Sequence, residues 1–308
     1  MSTITGGIAA MLASSFSFAV MNAFAKALST HLPPMETVFF RSAVMVLLML
    51  PLLAYSAYKS RGITESKTYK KGGFGRLLLR VLSGGLALCC LFYNIATIPL
   101  GTAIAFAQSV PLYAVIMGFL FLGERLALSI VLATLIGFVG IVLISNPSLS
   151  GVPPINVIAG LLSGASMALA FVTLKTLKPY FSNSFLIMAF GLGCTFVGLL
   201  GMLSPIEGLG GFIPPCDEDW ILILGLGLSG TLGQYFLNSA YLKAPVGLVA
   251  PIDYSRIVFS LLLGLALGDS LPSLAEIIGI ALIIISGLLI ALPALLRDLK
   301  NLKGRASN

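Results

Sequence analysis

Apolar positions in this chain come in long runs rather than in alternation. Stretches of about 20 mostly apolar residues, each enough to cross a hydrocarbon core of about 30 Å as a helix, fall at 4–28, 35–57, 75–97, 100–122, 127–145, 154–175, 184–204, 219–241, 245–268 and 273–295. Turn-forming or polar breaks separate them: "HLPP" at 31–34, "KSRGITESKTYKKGG" at 59–73, "SNPSLSGVPP" at 145–154 and "SPIEGLGGFIPPCDED" at 204–219. The pattern predicts an all-α integral membrane protein of ten transmembrane helices, with short connections that make neighbours antiparallel.

Composition closes off the soluble alternative. Hydrophobic residues make up 58% of the 308 positions and charged residues 9%, against about 45–50% and about 25% in a soluble domain. The opening "MSTITGGIAAML" has no basic n-region, so the first run is expected to stay as a helix rather than be cleaved.

The net charge of +7 matters less than its placement. With the N-terminus inside, the cytoplasmic segments collect Lys59, Arg61, Lys67, Lys70, Lys71, Arg76, Arg80, Arg125, Lys175, Lys178, Lys243, Arg297, Lys300, Lys303 and Arg305, and the outer loops hold no Lys or Arg. The outer side holds Glu207, Asp217, Glu218, Asp219 and Asp269. This asymmetry predicts cytoplasmic N- and C-termini, and it gives the 59–80 basic cluster a topological role rather than a lipid or nucleic-acid site.

The chain also repeats itself. "SFAVMNAFAKAL" (17–28) pairs with "SMALAFVTLKTL" (166–177), and "NIATIPLGTAIAFAQSVPLYAVIMGFLFLGERL" (94–126) with "NSAYLKAPVGLVAPIDYSRIVFSLLLGLALGDSL" (238–271). "LIGFVGIVLI" (135–144) resembles "IIGIALIIIS" (277–286). Two five-span halves, 1–146 and 147–308, are predicted. Because five is odd, the second half is inserted upside down, as in carriers that alternate access to a midplane site.

These halves, together with "PPMETVFFR" opening the second span, resemble the EamA-type members of the drug/metabolite transporter superfamily over roughly residues 5–295. The resemblance implies a carrier of the bacterial inner membrane in which helices one to four and six to nine surround a central cavity while the fifth and tenth support it. One departure is Asp269, where the first half has Glu124.

A charge at membrane depth costs on the order of 2.5–3.5 kcal/mol by insertion scales and is a functional candidate by default. Asp253 and Arg256 lie roughly 12 and 16 Å into the ninth span, spaced i, i+3 on one face. They can pair with each other or contact substrate, and the sequence leaves both open. Arg41 lies roughly 9 Å into the second span, where its planar fork suits a carboxylate or phosphate. Glu36, nearer the surface, can snorkel or cap its helix, and Lys26 and Lys175 read as snorkelling residues at span ends. Glu124 reads as a helix-terminus or loop residue.

Asn22, Tyr93, Asn94, Gln108, Tyr113, Gln234, Asn238 and Tyr254 supply uncharged polar groups in cavity-forming spans, as substrate contacts or as glue between helices. Pro111 and Pro251 lie in equivalent spans of the two halves and are expected as hinges.

The function expected is a secondary-active, exchanging or facilitative transporter of a small polar or amphipathic metabolite, a zwitterion or organic anion such as an amino acid or nucleotide-like metabolite. The alternative is a flippase for a lipid-linked substrate or a non-transporting membrane scaffold. Expected partners are the substrate, protons or a counter-substrate, and the lipid bilayer, with the chain acting as a monomer or homodimer and binding no nucleic acid. No Walker loop, HExxH or Ser-His pair within a span occurs, His31 is the single histidine, and the spacing of Cys89, Cys90, Cys194 and Cys216 suggests no disulfide or zinc site. No catalytic residue, metal or cofactor is therefore expected.

Overall fold

The structure, a computed structural model, describes residues 3–29, 31–60, 72–98, 106–124, 127–145, 152–203, 210–266 and 273–306. The expectations that rest on the 61–71 basic loop, Arg125, Glu207 and Asp269 lie outside the described residues. The described residues form helices and connections without a strand. The order is α1 (Thr3–Leu28), α2 (Pro34–Ser60), α3 (Gly73–Thr97), α4 (Val110–Leu122), α5 (Leu128–Ser145), α6 (Pro154–Thr176), α7 (Asn183–Met202), α8 (Asp217–Lys243), α9 (Val246–Val249), a 3-10 turn (Ala250–Tyr254), α10 (Ser255–Ala266) and α11 (Leu274–Ala306). Among the described residues, eight helical runs have the length and hydropathy to cross a bilayer, and Val110–Leu122 and Leu128–Ile144 are apolar but shorter.

Local sequence explains where the helices start and stop. Pro153 and Pro154 open α6, where their missing N–H groups cost nothing. Ser182 caps α7 by accepting from the Phe185 N–H at 3.3 Å. Gly123 ends α4 with φ of 63°, a left-handed geometry that glycine adopts without strain.

Hydrocarbon gives apolar helices no hydrophobic reason to associate, so close packing and interhelical hydrogen bonds must hold them together. Antiparallel α1 and α8 approach along their whole length. A methyl group built on Gly7 would stand 2.7 Å from the Ala244 Cβ, and one on Gly225 would stand 2.6 Å from the Phe24 ring. Between those points the Ser14 hydroxyl donates to the Gly233 carbonyl at 2.9 Å.

In the same way α3 lies along α6, with Ser163 donating to the Ala87 carbonyl at 2.9 Å. α2 lies along α7, with Gly198 against the Phe39 backbone. α5 lies along α11, with Ser286 donating to the Ala133 carbonyl at 2.7 Å. The short α9 packs on α4. Large apolar side chains left uncovered by protein, among them Leu47, Phe121, Leu135, Phe196, Ile221 and Leu288, form the surface expected to face lipid.

Candidate functional site

The stretch expected as the ninth span is broken. Helix α9 lasts four residues, a 3-10 turn follows, and α10 resumes at Ser255. Pro251 is the second residue of that turn, where its ring fits and the missing N–H is no loss. The break holds Asp253 and Arg256 in register. The Arg256 Nη2 donates to both carboxylate oxygens of Asp253, at 2.8 and 2.7 Å. From α1, the Ser15 hydroxyl donates to Asp253 Oδ1 at 3.0 Å, and the Phe18 ring lies 4.5 Å under the guanidinium, a favourable cation–π distance. Asn22 continues that face of α1, four residues beyond Phe18, and is uncovered.

Pro111 lies in the stretch that the sequence repeat pairs with this one. It lies at the start of α4, directly after a turn at Gln108–Ser109. The expected hinge inside a helix is thus a helix start: proline's fixed φ suits the first turn, and its ring would clash further in.

Two more guanidiniums stand in the interior. Arg41 of α2 is only 5% exposed, has no carboxylate partner among the described residues, and leaves its Nε without a hydrogen bond. It lies against α8, 3.1 Å from where a Cβ on Gly230 would be, so the missing side chain at Gly230 makes its room. Arg41 is close enough to Arg256 to feel its charge.

Arg80 of α3 is 1% exposed. Its Nη1 donates to the Ala170 carbonyl at 3.0 Å and its Nη2 to Asn238 Oδ1 at 3.2 Å. Its guanidinium lies 5.0 Å from the Phe190 ring centroid. Asn238 also accepts from Gln234 Nε2 at 2.9 Å. The interior thus holds the Arg41, Arg80 and Arg256 guanidiniums, and of the three only Arg256 has a carboxylate partner among the described residues.

Arg80, which the sequence groups with the 59–80 basic cluster, is instead buried within the bundle. It sits seven residues past the start of α3, roughly 10 Å along the helix, a depth the sequence reading passed over because Arg80 follows a run of loop lysines. Lys175 is also not a snorkelling residue. It donates to Glu124 Oε1 at 2.6 Å and to the Ala244 carbonyl at 3.2 Å. Glu124 in turn accepts from the Val246 and Gly247 N–H groups at 2.9 and 3.0 Å, the anion-at-N-terminus arrangement favoured by the helix dipole. Glu36 is fully buried and accepts from the Ile213 N–H at 3.0 Å.

The other candidates divide. Asn94 bonds to Asn156, donating to its carbonyl at 3.0 Å and accepting from its Nδ2 at 3.1 Å, so its polar groups join α3 to α6. Tyr254 turns away from Asp253 and packs on Gly137 of α5, where a methyl group would stand 2.5 Å from its ring. Tyr113 packs on Gly164 of α6, Gln108 is buried beside the α4 turn, and Tyr93 is half-buried. A cavity of about 240 Å³ opens beside Glu124, lined by Val115, Phe119, Ile130 and Leu248 among others. Its one charged group is already committed to Lys175 and the α9 amides, so we place the chemistry at the guanidinium cluster.

Comparison with known proteins decides what kind of molecule this is. The family model described as the EamA-like transporter family matches twice, over residues 5–146 and 154–292. The chain belongs to this family. The transporter is a multi-pass protein of the bacterial inner membrane and a member of the drug/metabolite transporter superfamily. It is 46% identical over 301 residues to an "Uncharacterized transporter" of Helicobacter pylori (strain ATCC 700392 / 26695), covering 97% of this chain and 99% of that one. It is 31% identical over 283 residues to the pseudopaline exporter CntI of Pseudomonas aeruginosa (strain UCBPP-PA14), covering 92% and 95%. A solved crystal structure superposes with a TM-score of 0.77 at 20% identity, covering 95% of the transporter and 97% of that chain, which shows a shared fold.

Proposed function

We propose that the protein carries a small polar or amphipathic metabolite with an anionic group, a zwitterion or organic anion, across the inner membrane by alternating access. The observation that carries this reading is Arg41: a guanidinium buried in a bundle without a carboxylate partner among the described residues. Desolvating a lone cation costs several kcal/mol, and a substrate carboxylate or phosphate would relieve that cost by bidentate hydrogen bonding. Arg256 is the second ligand for the anion, with Asp253 balancing it or binding a cationic amine. Arg80 adds positive potential from a position fixed by Ala170 and Asn238. Gln108, Gln234, Tyr113, Tyr93 and Asn22 are the proposed polar surround, and Pro251 the hinge.

Two features support alternating access between inverted halves with both termini cytoplasmic. Under an exchange of the halves, first span for sixth and third for eighth, the α1–α8 contact becomes the α3–α6 contact. The α2–α7, α4–α9 and α5–α11 contacts map onto themselves. Both fourth spans are interrupted ahead of a helix start, at Gln108–Ser109 and at Ala250–Tyr254, as in carriers whose sites lie at broken helices. Protons or a counter-substrate supply the drive. A relative named as a pseudopaline exporter fits a cargo of metabolite size.

Purified protein in liposomes, tested by counterflow with labelled amino acids, nucleotide-like metabolites and organic acids, is expected to exchange at least one anionic or zwitterionic solute. Exchange confined to cations, or no exchange at all, contradicts the proposal.

A further inference from the structure

At the end of the bundle away from Glu124, the turn after α1 meets the start of α8. His31 Nδ1 lies 3.0 Å from Asp219 Oδ1, and the Cys216 Sγ–H donates to Asp219 Oδ2 at 2.9 Å. The three donor atoms lie within 4.8 Å of one another. We infer that His31, Cys216 and Asp219 form a binding site for a borderline divalent d-block cation of the zinc type.

The donor set is one imidazole, one thiolate and one carboxylate. Thiolate and imidazole select zinc-like ions over magnesium and calcium, which prefer all-oxygen shells. Metal–ligand bonds of about 2.0–2.3 Å put tetrahedral ligand atoms roughly 3.3–3.8 Å apart. The observed trio, within 4.8 Å of one another, therefore needs its widest pair to close by at most about 1.5 Å around an ion.

The backbone prepares the site. Asp219 is buried, and the Cys216 N–H donates to its Oδ2 at 3.0 Å. That amide fixes the carboxylate between the other two ligands, as a second-shell donor does in established metal sites. His31 and Cys216 are exposed, so an ion arrives from the aqueous side and keeps water at its fourth position.

Charge favours it as well. Asp217, Glu218 and Asp219 share the first turn of α8 and carry three negative charges, against about half a positive charge from the helix terminus.

Binding is written as M²⁺ plus the Cys216 thiol giving a metal thiolate and a proton released to solvent. Because the thiol gives up its proton on binding, affinity falls as the solution is acidified. The bound ion ties the turn between the first two spans of one half to the eighth span in the other.

The test is a cobalt titration of the full-length protein, purified in detergent and stripped with chelator, followed by thiolate-to-cobalt charge-transfer absorption. One equivalent of Co²⁺ is expected to give the band. Zn²⁺ should displace it, and excess Mg²⁺ or Ca²⁺ should not. Cys216→Ser should remove the band. His31→Ala, at an exposed position that leaves packing intact, should weaken binding by at least about tenfold. No band at saturating cobalt, a band that survives Cys216→Ser, or unchanged affinity in His31→Ala would each overturn the site. The remaining cysteines, Cys89, Cys90 and Cys194, sit within helices α3 and α7, so the Ser variant separates their contribution.

Discussion

In the two stretches that the sequence repeat pairs, α4 and α10 each follow an interruption, but the two interruptions hold different chemistry. Ahead of α4 stand Gln108, Ser109 and Pro111. Ahead of and entering α10 stand Asp253 and Arg256 with Pro251. Each break is seated on glycines of a neighbouring helix: Phe106 on Gly160 and Tyr113 on Gly164 of α6 in the first half, Tyr254 on Gly137 of α5 in the second. The seat is thus a property of the scaffold, whereas the ion pair belongs to one half only. Under the proposed alternating access the two halves share the first, and asymmetry in the second gives the interior a fixed charge pattern for a substrate to meet.

The strongest way to break this comparison is to remove the charge that only the second half has. Asp253→Ala leaves Arg256 near Arg41 with no carboxylate, and a buried pair broken from one side costs about 3–5 kcal/mol. We expect a marked fall in melting temperature by fluorescence-detected unfolding, together with loss of exchange in liposomes. A melting temperature equal to wild type would mean that the pair is not the closed unit described.

Next in size is Arg41→Ala, which should preserve folded yield and reduce apparent substrate affinity by at least about 30-fold, the equivalent of about 2 kcal/mol for a lost charged contact. Full counterflow activity in this variant would remove Arg41 from the site.

The shared seats should respond more mildly and alike. Gly137→Leu forces the Tyr254 ring to move and Gly164→Leu forces Tyr113, and overpacking of this kind costs about 1–3 kcal/mol in either half. Thermal melts of the two variants should fall together. A large drop in only one would show that the seats are not equivalent.

The smallest effect is expected at Gln108→Ala. An interhelical polar contact in a membrane averages about 0.6 kcal/mol, so this variant should melt within a few degrees of wild type. A collapse comparable to that of Asp253→Ala would erase the contrast between the breaks.

Much of the helical layout is readable from the chain because hydrocarbon leaves so few solutions. A run that buries its backbone in lipid must be a helix, and α1, α2, α6, α7 and α8 start and end within a few residues of the apolar runs. The candidate site was readable in part. Depth along a span singled out Arg41, Asp253 and Arg256, since a charge so far from water is conspicuous by position alone. Position alone says nothing about direction, however. Tyr254, adjacent to Asp253, faces α5, and Asn94 spends its amide on Asn156. Arg80 was hidden because loop lysines precede it, and whether an arginine near a span end turns inward depends on an acceptor such as Asn238 in another helix.

The sequence by itself determined that this chain lives in a membrane and singled out three of its interior charges, Arg41, Asp253 and Arg256, because hydropathy and spacing are properties of a linear pattern. Partnership was decided by tertiary structure. His31 and Asp219 stand 188 positions apart, and no local spacing rule can bring them into one donor set. The same holds for Lys175 closing on Glu124, 51 positions away, and for Arg41 meeting no carboxylate among the described residues. Hydrogen bonds, ion pairs and metal ligands act over a few ångströms, and only the packing of helices distant in sequence sets which groups come that close.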